Sequence, residues 1–382
     1  MKSTTTEFAV GEFFAGIGLA RLGLEQARNT VFKVTWANDL DSDKHGMYIG
    51  HFEDDDAHYH LDDIRLVAEN MEAARVPTDL SLAWASFPCT DLSLAGGRQG
   101  LAGQHSGTFW NFADVLERLG GDRPPVVAIE NVNGFATSHR GEDIKAAVLR
   151  LNELDYSVDV VTLDARRWVP QSRPRLFLIA VRPPLLRDVK QDERRDTVLR
   201  PRWLDPVLDS GLRTHRAAMP EPPAMLAEGW TGLVDDDDAA EVEWWDNVRT
   251  AKFRSELSTV QMARVTALGE KSKGRPQYRT AYRRTRNGKP AWEIRADDIA
   301  GCLRTARGGS SKQAVVRIQR GHLKVRWMTA REYAKLMGAP AYRLPDSRNQ
   351  SIMGFGDAVC VNAVQWLAEE YLGPLLTGEL AR

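Results

Sequence analysis

Val10-Gly11-Glu12-Phe13-Phe14-Ala15-Gly16-Ile17-Gly18-Leu19-Ala20-Arg21 sets a short apolar run, two glycines one residue apart and the start of an amphipathic stretch in immediate succession. That order reads as strand, tight turn and helix. Glycines in the turn let the backbone bend sharply and let a nucleotide-like ligand come close. A Gly-x-Gly after a strand is also an ordinary tight turn, so its meaning depends on the residues downstream of it. The next apolar run, Val34-Thr35-Trp36-Ala37-Asn38, ends in Asp39. An acid about 20 residues beyond the glycines can accept both hydroxyls of a ribose. Together the two features point to an adenosine-containing cofactor.

Outward from this stretch, residues 10–14, 33–37, 80–85, 126–129, 157–163 and 175–181 each read as a buried strand. Between them, residues 19–28, 108–119 and 141–154 read as helices. Strand and helix in alternation predict an α/β domain with a mainly parallel sheet, with ligands at the carboxyl ends of the strands. At Arg182-Pro183-Pro184 the alternation breaks. The stretch to about residue 270 is rich in Pro, Trp and charge and reads as irregular with some helix. Short strands are expected at 292–295 and 314–318. A capping-box pattern, Thr329-Ala330-Arg331-Glu332, opens a short helix to residue 336, and residues 355–372 give a final helix.

The formal charge is -1, which by itself suggests no anionic partner, but the sum conceals a segregation. Residues 271–331 hold 17 Lys and Arg against three acids, a balance of +14, while residues 221–246 hold nine acids and no base. The basic stretch, with Tyr278, Tyr282 and Trp292 interleaved and Gly308-Gly309-Ser310-Ser311 as a flexible link, fits contact with a phosphate backbone; a solvated surface is the plainer alternative. The acidic run Asp235–Asp238 reads as a solvated loop. No stretch nears the ~20 consecutive apolar residues of a membrane span. The N-terminal residues show no secretory pattern, and a cytoplasmic protein is expected. Three cysteines, Cys89, Cys302 and Cys360, are too far apart for a metal pair and odd in number, which argues against a zinc module or a disulfide framework.

Chemistry concentrates at successive strand ends. Ala85-Ser86-Phe87-Pro88-Cys89-Thr90-Asp91-Leu92-Ser93 puts a cysteine behind a proline on a loop, where its thiolate can meet a substrate; a buried structural cysteine is the commoner fate of such a residue. Glu130-Asn131-Val132 follows an apolar strand and offers a carboxyl able to hold or transfer a proton, or merely to cap a turn. Gln171-Ser172-Arg173-Pro174-Arg175 precedes another strand, and alternation puts Arg173 and Arg175 on one face as two fixed cations.

Taken in this order the motifs resemble the cytosine-C5 DNA methyltransferase family. Phe14-Ala15-Gly16-Ile17-Gly18 is similar to its S-adenosylmethionine loop, the Pro88-Cys89 stretch to its catalytic loop, Glu130-Asn131-Val132 to its glutamate motif and Gln171 to Arg175 to its Gln-x-Arg-x-Arg motif. Arg331-Glu332-Tyr333-Ala334-Lys335-Leu336-Met337-Gly338 and Gly354-Phe355-Gly356-Asp357-Ala358-Val359 resemble its last two blocks. Two positions depart from the pattern: Leu19 stands where a further glycine is frequent, and Asp357 where the family has Asn.

The resemblance implies a Rossmann-like catalytic domain over residues 1–182, completed by a C-terminal helix at 350–382, and a smaller, irregular DNA target-recognition domain over 183–349. It implies Cys89 as nucleophile, Glu130 at the cytosine N3 edge, and Arg173 and Arg175 supporting thiol and base. S-adenosylmethionine would be bound by Phe14, Ala15, Gly16, Ile17, Gly18, Leu19, Asp39, Asp63, Pro88, Asp357 and Ala358, with Asp39 on the ribose and Asp63 on the adenine amine. No metal is implied. The implied substrate is cytosine in double-stranded DNA, flipped out of the helix. A cognate restriction endonuclease, phage-defence proteins and a solitary role all stay open, and a monomer is expected because one chain holds the whole set of motifs. An RNA cytosine methyltransferase, a silent DNA-binding regulator and a nucleotide-dependent oxidoreductase are the competing readings. The oxidoreductase leaves Cys89, Glu130 and the basic stretch without a joint role.

Overall fold

The structure is a computed structural model of the 382-residue chain, and it describes residues 6–53, 56–88, 100–103, 107–271, 274–286, 288–305 and 312–381. The glycine turn stands between β1 (Glu7–Phe13) and α1 (Leu19–Glu25). After it come β2 (Val31–Asp39), β3 (Tyr59–Leu61), β4 (Leu82–Ala85), β5 (Val126–Val132), β6 (Ser157–Asp164) and β7 (Pro174–Val181). They form one sheet in the order β3-β2-β1-β4-β5-β7-β6. The pairs β1·β2, β1·β4, β2·β3 and β4·β5 are parallel, and β7 runs antiparallel to β5. The strand order reverses at β1, which has β2 on one side and β4 on the other, and this is the switch point at which open α/β sheets bind ligands. Because β7 is antiparallel, its first residues lie beside the carboxyl end of β5, with Arg175 opposite Val132.

The middle strands are buried throughout Leu82–Ala85 and nearly so along β5 and β7, as expected of strands covered on both faces. The covering helices follow from spacing. Thr108–Leu119 buries Phe109, Phe112, Ala113, Val115, Leu116 and Leu119, and Glu142–Glu153 buries Ile144, Ala147, Val148 and Leu151. Those are single apolar faces of 3.6-residue helices. The three-residue β3 is too short to leave a period in the sequence.

The chain divides into two compact units, residues 1–163, 174–222 and 359–382 in the first, 164–173 and 223–358 in the second. Residues 183–222 therefore stay with the parallel sheet despite the break at Pro183. Side chains tie them there. Arg200 grips both oxygens of buried Asp159 on β6 at 2.9 and 2.5 Å, and Leu204, Val207 and Leu208 join the core. Tyr371 donates its hydroxyl proton to Asp159 at 2.8 Å. Such contacts leave no periodicity. The final helix is not continuous as expected: Arg348–Asp357 ends, Ala358 turns extended at ψ 164°, and a new helix runs Val361–Leu367.

The second unit has an antiparallel sheet of β8 (Gln277–Arg286), β9 (Lys289–Ile294), β10 (Gln313–Gln319) and β11 (His322–Trp327), in the order β11-β10-β8-β9. Its core includes Phe253, Trp292, Ile294, Val316 and Val325. The helix Ala330–Leu336 opens with the expected capping box between Thr329 and Glu332. The acidic run corrects the sequence reading, since it is not simply a solvated loop. Asp235 accepts from the Thr329 hydroxyl at 2.5 Å and from Lys335 at 2.7 Å, while Asp237 accepts from Arg317 at 2.7 Å. Spacing could not reveal these links because their partners lie 80 to 100 residues away. Among the described residues, no helix is long and apolar enough to cross a membrane.

Candidate active site

The turn after β1 has left-handed backbone at Phe14, Gly16 and Gly18, with φ of 57°, 57° and 75°. Its two glycines do different work. A side chain at Gly18 would strike Phe52 at 2.4 Å and Tyr48 at 2.7 Å, so this position is closed by packing. At Gly16 the nearest heavy atom to a built Cβ is Lys44 Cδ at 3.9 Å, which leaves room for a ligand. Ala15, Ile17 and Leu19 are buried, so what the turn offers outward is mainly backbone.

Asp39 closes the turn from the end of β2. Gly16 N–H donates to its Oδ2 at 2.9 Å and Asp41 N–H to its Oδ1 at 3.0 Å. Burial pushes the Asp39 carboxyl above the ordinary carboxylate range, opposed by the Lys44 charge and the two N–H donors. Leu40, next to it, is 63% exposed and supplies an apolar surface beside the carboxylate that sequence reading passed over. Asp63 caps the helix Ile64–Glu69, accepting from Arg65 N–H at 2.9 Å and from the Arg65 guanidinium at 3.0 and 2.6 Å. Those Arg65 hydrogen bonds hold Asp63 below its usual pKa. The sequence reading missed Arg65, although a cation two residues beyond an N-cap acid was there to be seen.

Glu130 and Arg175 meet across β5 and β7, with Arg175 Nε 2.9 Å from Glu130 Oε1. The pair is nearly buried, at 8% and 13% exposure of the two side chains. Arg175 reaches back along the strand to do this, since its Cα faces Val132 while Glu130 faces Phe177. Asn131 Nδ2 donates to the Phe87 carbonyl at 3.1 Å and so ties the glutamate strand to the chain leading to Pro88. Phe87 is clamped edge-on by Phe135, with ring centroids 5.6 Å apart. Cys89 lies outside the described residues, as do Thr90 to Ser93 and Gly308 to Ser311.

Arg173 and Arg175 do not share a strand face, because β7 starts at Pro174 and Arg173 precedes it. Arg173 is 1% exposed in the second unit, donating to the carbonyls of Leu303 at 2.7 Å, Gly356 at 3.1 Å and Ala358 at 2.5 Å. Gln171 works beside it, donating to the Leu336 carbonyl at 2.7 Å and accepting from Leu303 N–H at 3.0 Å. Asp357 and Ala358 lie at the break between the two C-terminal helices. The two motif residues thus join segments that the sequence shows only as separate blocks.

The family model for C-5 cytosine-specific DNA methylases matches residues 8–372. The chain belongs to that family. Among curated members it is 30% identical over 175 residues to the type II methyltransferase M.Bsp6I of a Bacillus species, covering 45% of this chain and 52% of that protein. The match thus spans about half the length of that relative. With the type II methyltransferase M.HhaI of Haemophilus parahaemolyticus the identity is 24%, over 94% of this chain and 92% of the relative. Among solved structures, Dnmt2 methyltransferase of S. pombe superposes with a TM-score of 0.58 at 16% identity, covering 95% of this chain and 97% of that one. This family member therefore shares the methyltransferase fold.

Proposed function

We propose that the protein transfers a methyl group from S-adenosylmethionine to C5 of a cytosine in duplex DNA, with Cys89 as nucleophile. The observation that supports this most is the Glu130–Arg175 pair, set at the carboxyl end of β5 and linked through Asn131 to the residues before Cys89. The family match over residues 8–372, which spans all the motifs, supports it further.

The cofactor fits the turn after β1. Gly16 leaves space, Asp39 presents an oriented carboxylate for a ribose, and Leu40 an apolar surface for a flat ring. Asp63 faces an adenine amine only with whatever accepting capacity Arg65 leaves it. When bound, S-adenosylmethionine would supply an electrophilic methyl on a positively charged sulfur, which keeps the pair of the broken S–CH3 bond and leaves as a neutral thioether.

The residues of the chain supply the rest. Cytosine C5 is a poor nucleophile until the ring loses its conjugation. The Cys89 thiolate adds to C6, and the displaced electrons run through the ring toward N3 and leave C5 able to take the methyl. Glu130 shares a proton with N3, a contribution of about 10²–10⁴-fold for acid catalysis. Arg175 orients that carboxyl and adds positive charge where negative charge develops. Loss of the C5 proton to a base then expels the thiolate from C6. A stacked base hides C6, so the nucleotide must leave the duplex at a cost of a few kcal/mol. The basic second unit is the proposed source of offsetting phosphate contacts and of sequence choice. The type II names of the relatives favour a cognate restriction endonuclease as partner.

Bisulfite sequencing of plasmid DNA from cells expressing wild type or Cys89→Ala tests this. Cytosines protected within one short motif, by wild type alone, are expected. Folded wild type that protects nothing overturns the DNA reading and moves RNA substrates forward.

A further inference from the structure

We infer that Thr162 is a positioning residue for the Glu130–Arg175 pair, an inference that rests on the function proposed above. Arg175 is the second residue of β7, and the residue before it, Pro174, has no N–H with which to extend the ladder. Residues 176–181 are buried, whereas Pro174 is exposed and Arg175, the last residue of the strand paired with β5, is half-buried, so the ladder holds this end on fewer contacts. Thr162 on β6 provides an anchor. Its Oγ1 lies 3.0 Å from the Arg175 carbonyl oxygen and 3.1 Å from Asn133 Oδ1. Asn133 is the first residue beyond β5, three positions after Glu130. One hydroxyl thus touches the ends of both strands that hold the pair.

A hydroxyl has a single proton and two lone pairs, and an Asn side chain has both donors and acceptors. As placed, the hydroxyl faces two acceptors, Asn133 Oδ1 and the Arg175 carbonyl; with the Asn133 amide turned so that Nδ2 faces Thr162, Asn133 donates to Oγ1 and Oγ1–H donates to the Arg175 carbonyl. Thr162 is itself held. Its N–H donates to the Leu199 carbonyl at 2.8 Å, and its β-branched side chain has few rotamers to choose from. The guanidinium acts at a distance from this anchor, since Arg175 reaches back past Val132 to Glu130. A small turn of the backbone at Arg175 is therefore enlarged at the charged end. Thr162 is not placed against substrate and acts only through Arg175 and Asn133.

The test compares wild type, Thr162→Val, Thr162→Ser and Arg175→Lys as purified full chains, measuring steady-state methyl transfer to duplex DNA with labelled S-adenosylmethionine. Thr162→Val keeps shape and loses the hydroxyl. It is expected to lower kcat about tenfold through misplacement of the catalytic pair. KM for DNA and the unfolding midpoint should stay unchanged, and Thr162→Ser should restore kcat. In an Arg175→Lys background Thr162→Val should cost little more, because both changes act on one device. Wild-type kcat in folded Thr162→Val, a loss that tracks a lowered unfolding midpoint, or full additivity with Arg175→Lys overturns the inference alone. A folded wild type that transfers no methyl group to DNA overturns the proposed function, and the inference with it.

Discussion

Two glutamate–arginine pairs, one in each compact unit, show how differently the same chemistry can be set. In the second unit Glu332 receives Arg326 through both oxygens, at 2.8 and 2.6 Å, and adds the N–H groups of Thr329 and Asp235, each at 2.9 Å. Both side chains are 0% exposed. Every strong acceptor direction is used and water is shut out. In the first unit Glu130 has Arg175 at one oxygen, and its other oxygen takes no donor among the described residues. The saturated pair fixes a helix start; the half-satisfied pair is the one proposed above to meet a substrate. An arginine beside a glutamate is therefore no sign of function by itself.

Exchanging each glutamate for glutamine should separate the two most sharply. Glu130→Gln is expected to lower kcat by about 10²–10⁴, with a smaller loss in the urea unfolding midpoint than Glu332→Gln because the Arg175 side chain keeps some access to water. Glu332→Gln leaves Arg326 charged and sealed, and should cost ~3–5 kcal/mol in equilibrium unfolding. If the first variant loses as much stability as the second, or the second keeps it, the contrast breaks. A third carboxyl sharpens the comparison. Glu12 is 1% exposed, accepts only the Arg21 N–H at 3.2 Å, and has Oε2 without a donor among the described residues. Burial pushes its pKa from 4.5 up to about 8. A raised carboxyl penalises the folded state wherever the unfolded chain would ionise it, so the penalty grows from about pH 4.5 to pH 8 and then levels. Glu12→Gln should thus gain on wild type across that window in urea midpoints; a pH-independent difference would refute the assignment. Smallest is Asp237→Asn, which breaks a pair with Arg317 whose carboxylate is 57% exposed. A double-mutant cycle with Arg317→Ala should give a coupling below about 1 kcal/mol.

Legibility followed the kind of force at work. The parallel sheet was readable because its strands are apolar runs and its helices keep one apolar face, and β1, β5, β6 and β7 lie within a few residues of their expected places. In the second unit β9 and β10 were visible but β8 was not, because buried Arg279 and Thr280 interrupt its apolar pattern. The break at Ala358 left no proline or polar cluster to mark it. At the candidate site, residue types at strand ends pointed to Glu130 and Arg175. The separate duties of Arg173, Gln171 and Asn131 were hidden, since each depends on a carbonyl from elsewhere in the chain.

The acid partners of the basic segment bear on how the protein would meet a polyanion. Arg279, Arg283, Arg286, Arg295, Arg317 and Arg326 are each paired with a carboxylate within 4 Å. A cation that already has its counter-charge displaces no condensed counterion from DNA. Binding by this unit should therefore fall less steeply with added salt than a segment summing to +14 implies.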